Sequence, residues 1–492
     1  MNVINKTFVN LIDKVRGDSL KAKSVRGAMV LGIGTAGERF LRLVRNMIMV
    51  RILAPDVFGT MAIVIAASSI FETLSDVGVR QSVIQSTRGV NDNYLNVAWW
   101  FQSLRGLGLC VIGFLAAPWI SRFYDMPELP SLLRVAFIVM VFNGLMSPCV
   151  YVLEKKFQFG RVIILTQGSG LLSILITIGL AFYLKNVWAL VIGLVAEAIV
   201  RCLLSYILCP FRPRLSIDKD CFSDLLHFAK GMLGLAFLSV VVRQTDIVVL
   251  GKVVSGEQLG MYYLAFQLAY QPVQLFDKII GKVLLPAFAE KQDDKQSIYL
   301  AVLTIVRTTS VFGIPLLTFL VICSGPILSM VYGSQFAQVS VTFSLLCLWS
   351  LVCTQCIVVA SILIGVGLPH LHRRVVIFRA VILIGLIYPS IVLWGLSGAA
   401  MAVLTAYSVA LVVSFIWMRK LINLKFNEYA LNWLPGLGIS FIVVVPIILL
   451  RWLGQIGPVL NMAVGIASCL VAWLLGLFLL QRTRFRGLCL AE

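Results

Sequence analysis

From Arg26 to Leu480 the chain is a succession of apolar runs, each near 20 residues long and separated by short polar breaks. Hydrocarbon about 30 Å thick needs roughly 20 apolar residues per crossing helix. No water is present there to satisfy a free backbone amide, so such runs must be helices. The pattern therefore predicts an all-α polytopic membrane protein with about 14 transmembrane helices. The expected spans are 27–50, 57–80, 94–118, 130–153, 162–184, 187–209, 228–251, 258–286, 298–323, 339–367, 375–394, 397–418, 432–450 and 459–481. A composition 60% hydrophobic and 13% charged over 492 residues excludes a water-soluble domain of this length.

Charge tests the count. When alternate loops are assigned to opposite sides, more than half of the 41 Lys+Arg fall on one side, and only Arg51, Arg122, Lys185, Lys252 and Arg451 lie in loops on the other. By the positive-inside rule both termini are cytoplasmic. The formal net charge of +19 is then mostly topology, and no basic domain is left to hold nucleic acid. In residues 1–16, Ile4, Phe8, Leu11, Ile12 and Val15 recur at helical spacing beside Lys6, Lys14 and Arg16. An interfacial helix on anionic membrane lipids is expected there.

The 11 cysteines show no disulfide framework. Cys353 and Cys356 lie within an apolar span without further ligands, and His370 and His372 sit in a basic loop, so no metal and no cofactor is expected.

The chain also repeats itself. "VRNMIMVRILAPDVFG" (44–59) aligns with "TDIVVLGKVVSGEQLG" (245–260), and the same constant offset pairs Arg42 with Arg243, Arg51 with Lys252, Asp56 with Glu257, Gly59 with Gly260 and Asp76 with Asp277. Further on, "APWISRFY" (117–124) resembles "GPILSMVY" (325–332). Helices 1–6 thus correspond to helices 7–12. Six is even, so both halves enter the membrane from the same side, giving two parallel six-helix repeats around a central cavity plus two C-terminal helices. The expected organisation is a cytoplasmic segment 1–26, a first bundle 27–209, a linker 210–227, a second bundle 228–419, and helices 13 and 14 with a tail over 420–492.

Charge inside the spans marks the candidate site, because a central Arg or Asp costs about 3 kcal/mol on insertion scales. Helix 1 carries Glu38, Arg39, Arg42 and Arg45, and Glu38, Arg42 and Arg45 share one stripe at 100° per residue. Lipid exposure of its three arginines would cost close to 10 kcal/mol. Helix 7 carries Arg243 and Asp246, with Asp246 expected to orient Arg243. Arg105, Glu197 with Arg201, and Arg307 interrupt other spans, and helix 8 adds Gln267, Tyr270, Gln271 and Gln274 on nearly one face. Arginines with amide and phenol groups suit a polar, anionic cargo. Arg42, Arg243, Arg39, Arg45, Arg105 and Arg307 with the helix 8 groups form the candidate binding set. Glu38, Asp246, Asp76 and Asp277 are candidates for ion coupling or gating, and Glu197 with Arg201 reads equally as an intrahelical pair joining helices. No catalytic constellation is present, so an enzyme is not expected.

"RILAPDVFG" (51–59), "LSDVGVRQSVIQ" (74–85), "TDIVVLGKVVSGEQLGMYYLAFQL" (245–268) and "KVLLPAFAEKQDD" (282–294) resemble the polysaccharide transporter family of Wzx-type oligosaccharide flippases, in particular its colanic acid exporter-like subgroup. The family lies in the multidrug/oligosaccharidyl-lipid/polysaccharide exporter superfamily. The resemblance spans roughly residues 20–420. It implies alternating access and a cargo of undecaprenyl-diphosphate-linked oligosaccharide repeat units, moved across the bacterial inner membrane. A repeat-unit polymerase and a chain-length regulator are the partners it implies. A lipid II flippase remains an alternative, as does a drug/cation antiporter, which would want acidic cavity walls.

Overall fold

A computed structural model describes residues 20–76, 78–156, 158–214, 218–290, 294–452 and 457–488. The expected interfacial helix over residues 1–16 lies outside the described residues. Every regular element among the described residues is helical. Contacts divide the chain into two compact units, Met1–Glu257 and Gln258–Glu492.

The first unit holds α1 (Leu20–Ile52), α2 (Pro55–Leu74), α3 (Val79–Gln85), α4 (Asp92–Tyr124), α5 (Leu129–Leu145), α6 (Cys149–Lys155), α7 (Phe159–Leu184), α8 (Trp188–Leu208) and α9 (Lys219–Val253). Pro55 opens α2, where a missing N–H costs nothing. Two expected spans are broken. Residues 57–80 divide at Gly78, whose φ of 69° is left-handed. Residues 130–153 divide at Ser147 and Pro148, where α5 and α6 meet at 62°. Helices α4 and α5 pack backbone to backbone: a Cβ at Gly106 would lie 2.4 Å from the Met140 carbonyl oxygen, and one at Gly144 2.6 Å from that of Gln102. Only glycine lets the two backbones approach so closely, as small residues do at helix contacts in lipid. Helix α1 packs on α7, and α9 packs on α2 and α4. That last contact draws α9, expected to open the second bundle, into the first unit.

In the second unit are α10 (Gly256–Glu290, whose first two residues belong to the first unit), α11 (Lys295–Ile322), α12 (Ser324–Tyr332), a 3₁₀ turn (Ser334–Val339), α13 (Ser340–Gly365), α14 (Pro369–Ile422), α15 (Phe426–Leu431), α16 (Leu434–Trp452) and α17 (Pro458–Leu488). Asp294 caps α11, accepting from the Ser297 amide at 3.0 Å. The 54 residues of α14 break at Gly395, with φ 56° and ψ −134°, between the expected spans 375–394 and 397–418. The chain folds back there: the guanidinium of Arg379 lies 4.4 Å over the ring of Tyr407. Gly398 sits so near this bend that a Cβ would meet the Ser390 carbonyl oxygen.

Nine helices among the described residues are long and apolar enough to cross a membrane, or ten if the bent pair α5–α6 is one span. Composition and length alone thus give fewer spans than the expected count of about 14. Helices α1, α9 and α10, which carry the polar stripes, stand outside the nine, and α14 is counted once although it turns back at Gly395.

Candidate functional site

In the first unit the charges of α1 meet those of α8. Arg42 donates through Nε to Glu38 Oε1 at 2.9 Å and through Nη2 to Glu197 Oε1 at 2.8 Å. Arg201, one turn beyond Glu197, donates Nη2 to the same oxygen at 2.5 Å. Gln167 of α7 closes the group, donating Nε2 to Glu38 Oε2 at 3.1 Å. Three helices thus converge on one cluster. The side chain of Glu197 is 11% exposed and that of Arg42 25%, so these contacts are only partly screened. Arg45 donates Nε and Nη2 to Asn46 Oδ1 at 3.3 and 3.1 Å, and Arg39 is half-buried. With Arg42, Arg45 and Arg201 to two glutamates, the group is net positive even fully paired.

The two readings of Glu197 and Arg201 can now be compared. The intrahelical pair exists, and Glu197 also reaches α1, so it ties the helices together as well as neutralising Arg201. Gln167 was missed by sequence reasoning; an amide in the apolar stretch "LTQGSG" was its signal.

Arg243 and Asp246 differ from the expectation. Arg243 is exposed and makes no hydrogen bond or ion pair among the described residues, whereas Asp246 is buried at 3% exposure. No ion pair joins them. The face of α9 that turns inward packs on α2, with Gln244 Nε2 donating to Ser69 Oγ at 3.0 Å. The residue that faces out is the arginine.

Arg105 acts on a helix end. Its Nε donates to Ser75 Oγ at 3.0 Å and its Nη2 to the Glu72 carbonyl oxygen at 2.8 Å, so the cation sits at the negative C-terminal end of α2. Asp76 accepts from the Gly78 amide at 3.0 Å, shaping the turn after α2. That bond makes Asp76 a cap for the turn.

In the second unit, Tyr270 stacks on Phe266 and on Trp349, both with centroids 5.7 Å apart, and Trp349 meets Tyr407 edge-on at 5.5 Å. Gln267, Gln271 and Gln274 are half-buried on the same helix, and Gln271 Oε1 is buried without a hydrogen-bond partner among the described residues. Arg307 Nε on α11 is buried in the same condition, and Asp277 is exposed. The amide and phenol row expected on α10 therefore leans on a stack of aromatic rings. Trp349 and Tyr407 were not foreseen, since nothing in spacing links residues so far apart. No group of three or more metal-ligating side chains occurs among the described residues.

Long apolar helices with charge gathered inside the bundle define a polytopic membrane protein of transporter type. Comparison with known proteins narrows the class. The chain belongs to the polysaccharide biosynthesis protein family, whose model matches residues 48–341, more than half of its length. It is 23% identical over 432 residues to the lipopolysaccharide biosynthesis protein WzxC of Escherichia coli (strain K12), covering 85% of each chain. It is 23% identical over 348 residues to the succinoglycan biosynthesis transport protein ExoT of Rhizobium meliloti (strain 1021), covering 70% of this chain and 69% of that one. Among solved structures, the fold is similar to the lipid II flippase MurJ in an inward closed conformation, with TM-score 0.74 and 15% identity, covering 94% of this chain and all of the other. The expected kinship with polysaccharide transporters is borne out, as is the all-α transporter fold.

Proposed function

We propose that the protein moves oligosaccharide repeat units linked to undecaprenyl diphosphate from the cytoplasmic to the outer leaflet of the bacterial inner membrane, by alternating access, for surface polysaccharide synthesis. The observation that carries this reading is the net-positive cluster of Glu38, Arg42, Glu197 and Arg201 with Arg45, held inside the fold of a polysaccharide biosynthesis family member. A diphosphate wants arginines in a shielded place, because guanidinium offers paired donors to phosphate oxygens. Sugar hydroxyls want amides and phenols, which Gln267, Tyr270, Gln271 and Gln274 supply. Outward movement of an anionic head is favoured by about 2.3 kcal/mol per charge per 100 mV with the cytoplasm negative. Coupling to an ion through Glu38, Asp246, Asp76 or Asp277 is therefore an addition to the mechanism and not a requirement.

The reading includes about 14 spans in two parallel repeats, joined by the linker 210–227. A repeat-unit polymerase and a chain-length regulator are its proposed partners. Lipid II transport is the second reading, favoured by cargo chemistry, since the lipid II carrier also presents a diphosphate. A drug/cation antiporter is disfavoured by the excess of arginine in the cluster.

Deleting the gene is expected to leave repeat-unit synthesis intact while lipid-linked units accumulate on the cytoplasmic face, measured by leaflet-specific enzymatic labelling of the sugar. Accumulation of cell-wall precursor instead would favour the second reading, and sugar transfer by the purified protein alone would overturn both. The orientation is checked separately. Introduced cysteines at positions 125 and 334 should react with an impermeant thiol reagent from outside intact cells, and one at 373 should not; reaction at 373 would overturn the assigned orientation.

A further inference from the structure

The turn at Gly395 brings the two ends of α14 together at one end of the second unit. There the Arg374 guanidinium carbon lies 5.9 Å from the ring centroid of Trp417, and the Lys420 Nζ lies 5.5 Å from the same ring. Both cations are exposed, and neither makes a hydrogen bond or ion pair among the described residues. Glu428, just beyond the end of α14, pairs with Lys425 and accepts from Tyr299. Two like charges drawn to one indole repel each other until an anion lies between them.

Below this pair the helix surface is apolar and open. Ile377, Phe378 and Val381 on the outgoing half of α14, with Val412 and Ile416 on the returning half, are all exposed. A polar anion at the top and a strip of hydrocarbon beneath it match the two parts of one molecule. A tryptophan at a helix end is also the residue of the membrane–water boundary.

We propose that Arg374, Lys420 and Trp417 form a binding site for the phosphate of an acidic phospholipid, whose acyl chains lie along the exposed face of α14. This site is separate from the α1–α8 cluster and does not rest on the transport reading. Ordinary topological charge would produce basic residues at this end as well, but not two of them turned onto one ring. Arg373 and Arg419 supply the comparison, being exposed cations on the same two segments with no contact to Trp417.

The test is native mass spectrometry of the full-length protein in detergent, titrated with phosphatidylglycerol, with phosphatidylcholine, or with inorganic phosphate. The expected result is preferential retention of phosphatidylglycerol, reduced about tenfold in Arg374→Gln/Lys420→Gln and unchanged within about twofold in Arg373→Gln/Arg419→Gln, which removes the same formal charge. Trp417→Leu keeps both cations and should lower retention with a smaller effect than the double variant. Thermal midpoints of the unliganded variants separate lost binding from lost folding. Equal loss in both double variants would reduce the site to bulk surface charge. Equal retention of the two lipids, or binding of inorganic phosphate without preference for phosphatidylglycerol, would overturn the lipid assignment.

Discussion

Glu197→Ala is expected to lower the amount of folded protein in the membrane several-fold, and to do so more severely than replacement of any single arginine around it. Glu197 Oε1 accepts from Arg42 of α1 and from Arg201 of its own helix. Among the described residues, removing the carboxylate leaves Arg201 with no acidic partner and Arg42 with Glu38 alone. Breaking a buried ion pair by deleting one member costs about 3–5 kcal/mol. The partial exposure of Arg201 places this case toward the lower end of that range. Arg42→Gln is gentler on the fold, because Glu197 keeps Arg201 and Glu38 keeps Gln167. Adding Arg201→Leu to Glu197→Ala should recover part of the loss by removing the stranded cation. Membrane abundance and the thermal midpoint in detergent measure these effects. Wild-type values for Glu197→Ala would show that the cluster does not hold α1 to α8.

This cluster also marks the limit of what could be read from the chain. Helical spacing places Glu38, Arg42 and Arg45 on one stripe, and the cost of exposing it to lipid turns that stripe inward. Its partner is 155 residues away in sequence, and no periodicity connects the two. Local rules could name the charged face of α1 and the charged pair on α8, but only packing could join them.

Backbone punctuation was legible only in part. The break between the expected spans 375–394 and 397–418 falls on Gly395, whereas the left-handed Gly78 lies inside the expected span 57–80 and was not foreseen. The bend at Ser147–Pro148 was overlooked because its flanks are as apolar as the helix it interrupts. Arg105 is the opposite case. An arginine in an apolar run reads as a cavity lining group, yet its two bonds go to the last turn of α2. A helix terminus offers a cation the same electrostatic welcome as an anionic ligand, and sequence does not separate the two. Nor does it separate an i, i+3 pair that forms from one that does not, as Arg243 and Asp246 demonstrate.

Arg243 is the better test of cargo contact because the fold makes no visible use of it. It matches Arg42 in the internal repeat, it is exposed, and no described residue pairs with it. An arginine kept at that cost within an apolar helix needs an outside partner or water. If that partner is the diphosphate, Arg243→Gln removes a charge-assisted contact while keeping a side chain that can donate hydrogen bonds. Export should fall at least about tenfold, the loss of one such bond, while membrane abundance stays at wild type. Arg243→Lys should restore part of the export, since charge returns without the planar fork, and the pattern should hold for cargoes with different sugars. The alternative is that Arg243 serves to neutralise Asp246, in which case Arg243→Gln lowers abundance and Asp246→Asn restores abundance and export together. The separation of the exposed arginine from the buried aspartate predicts no such rescue. Export regained in the double variant would remove Arg243 from the cargo path.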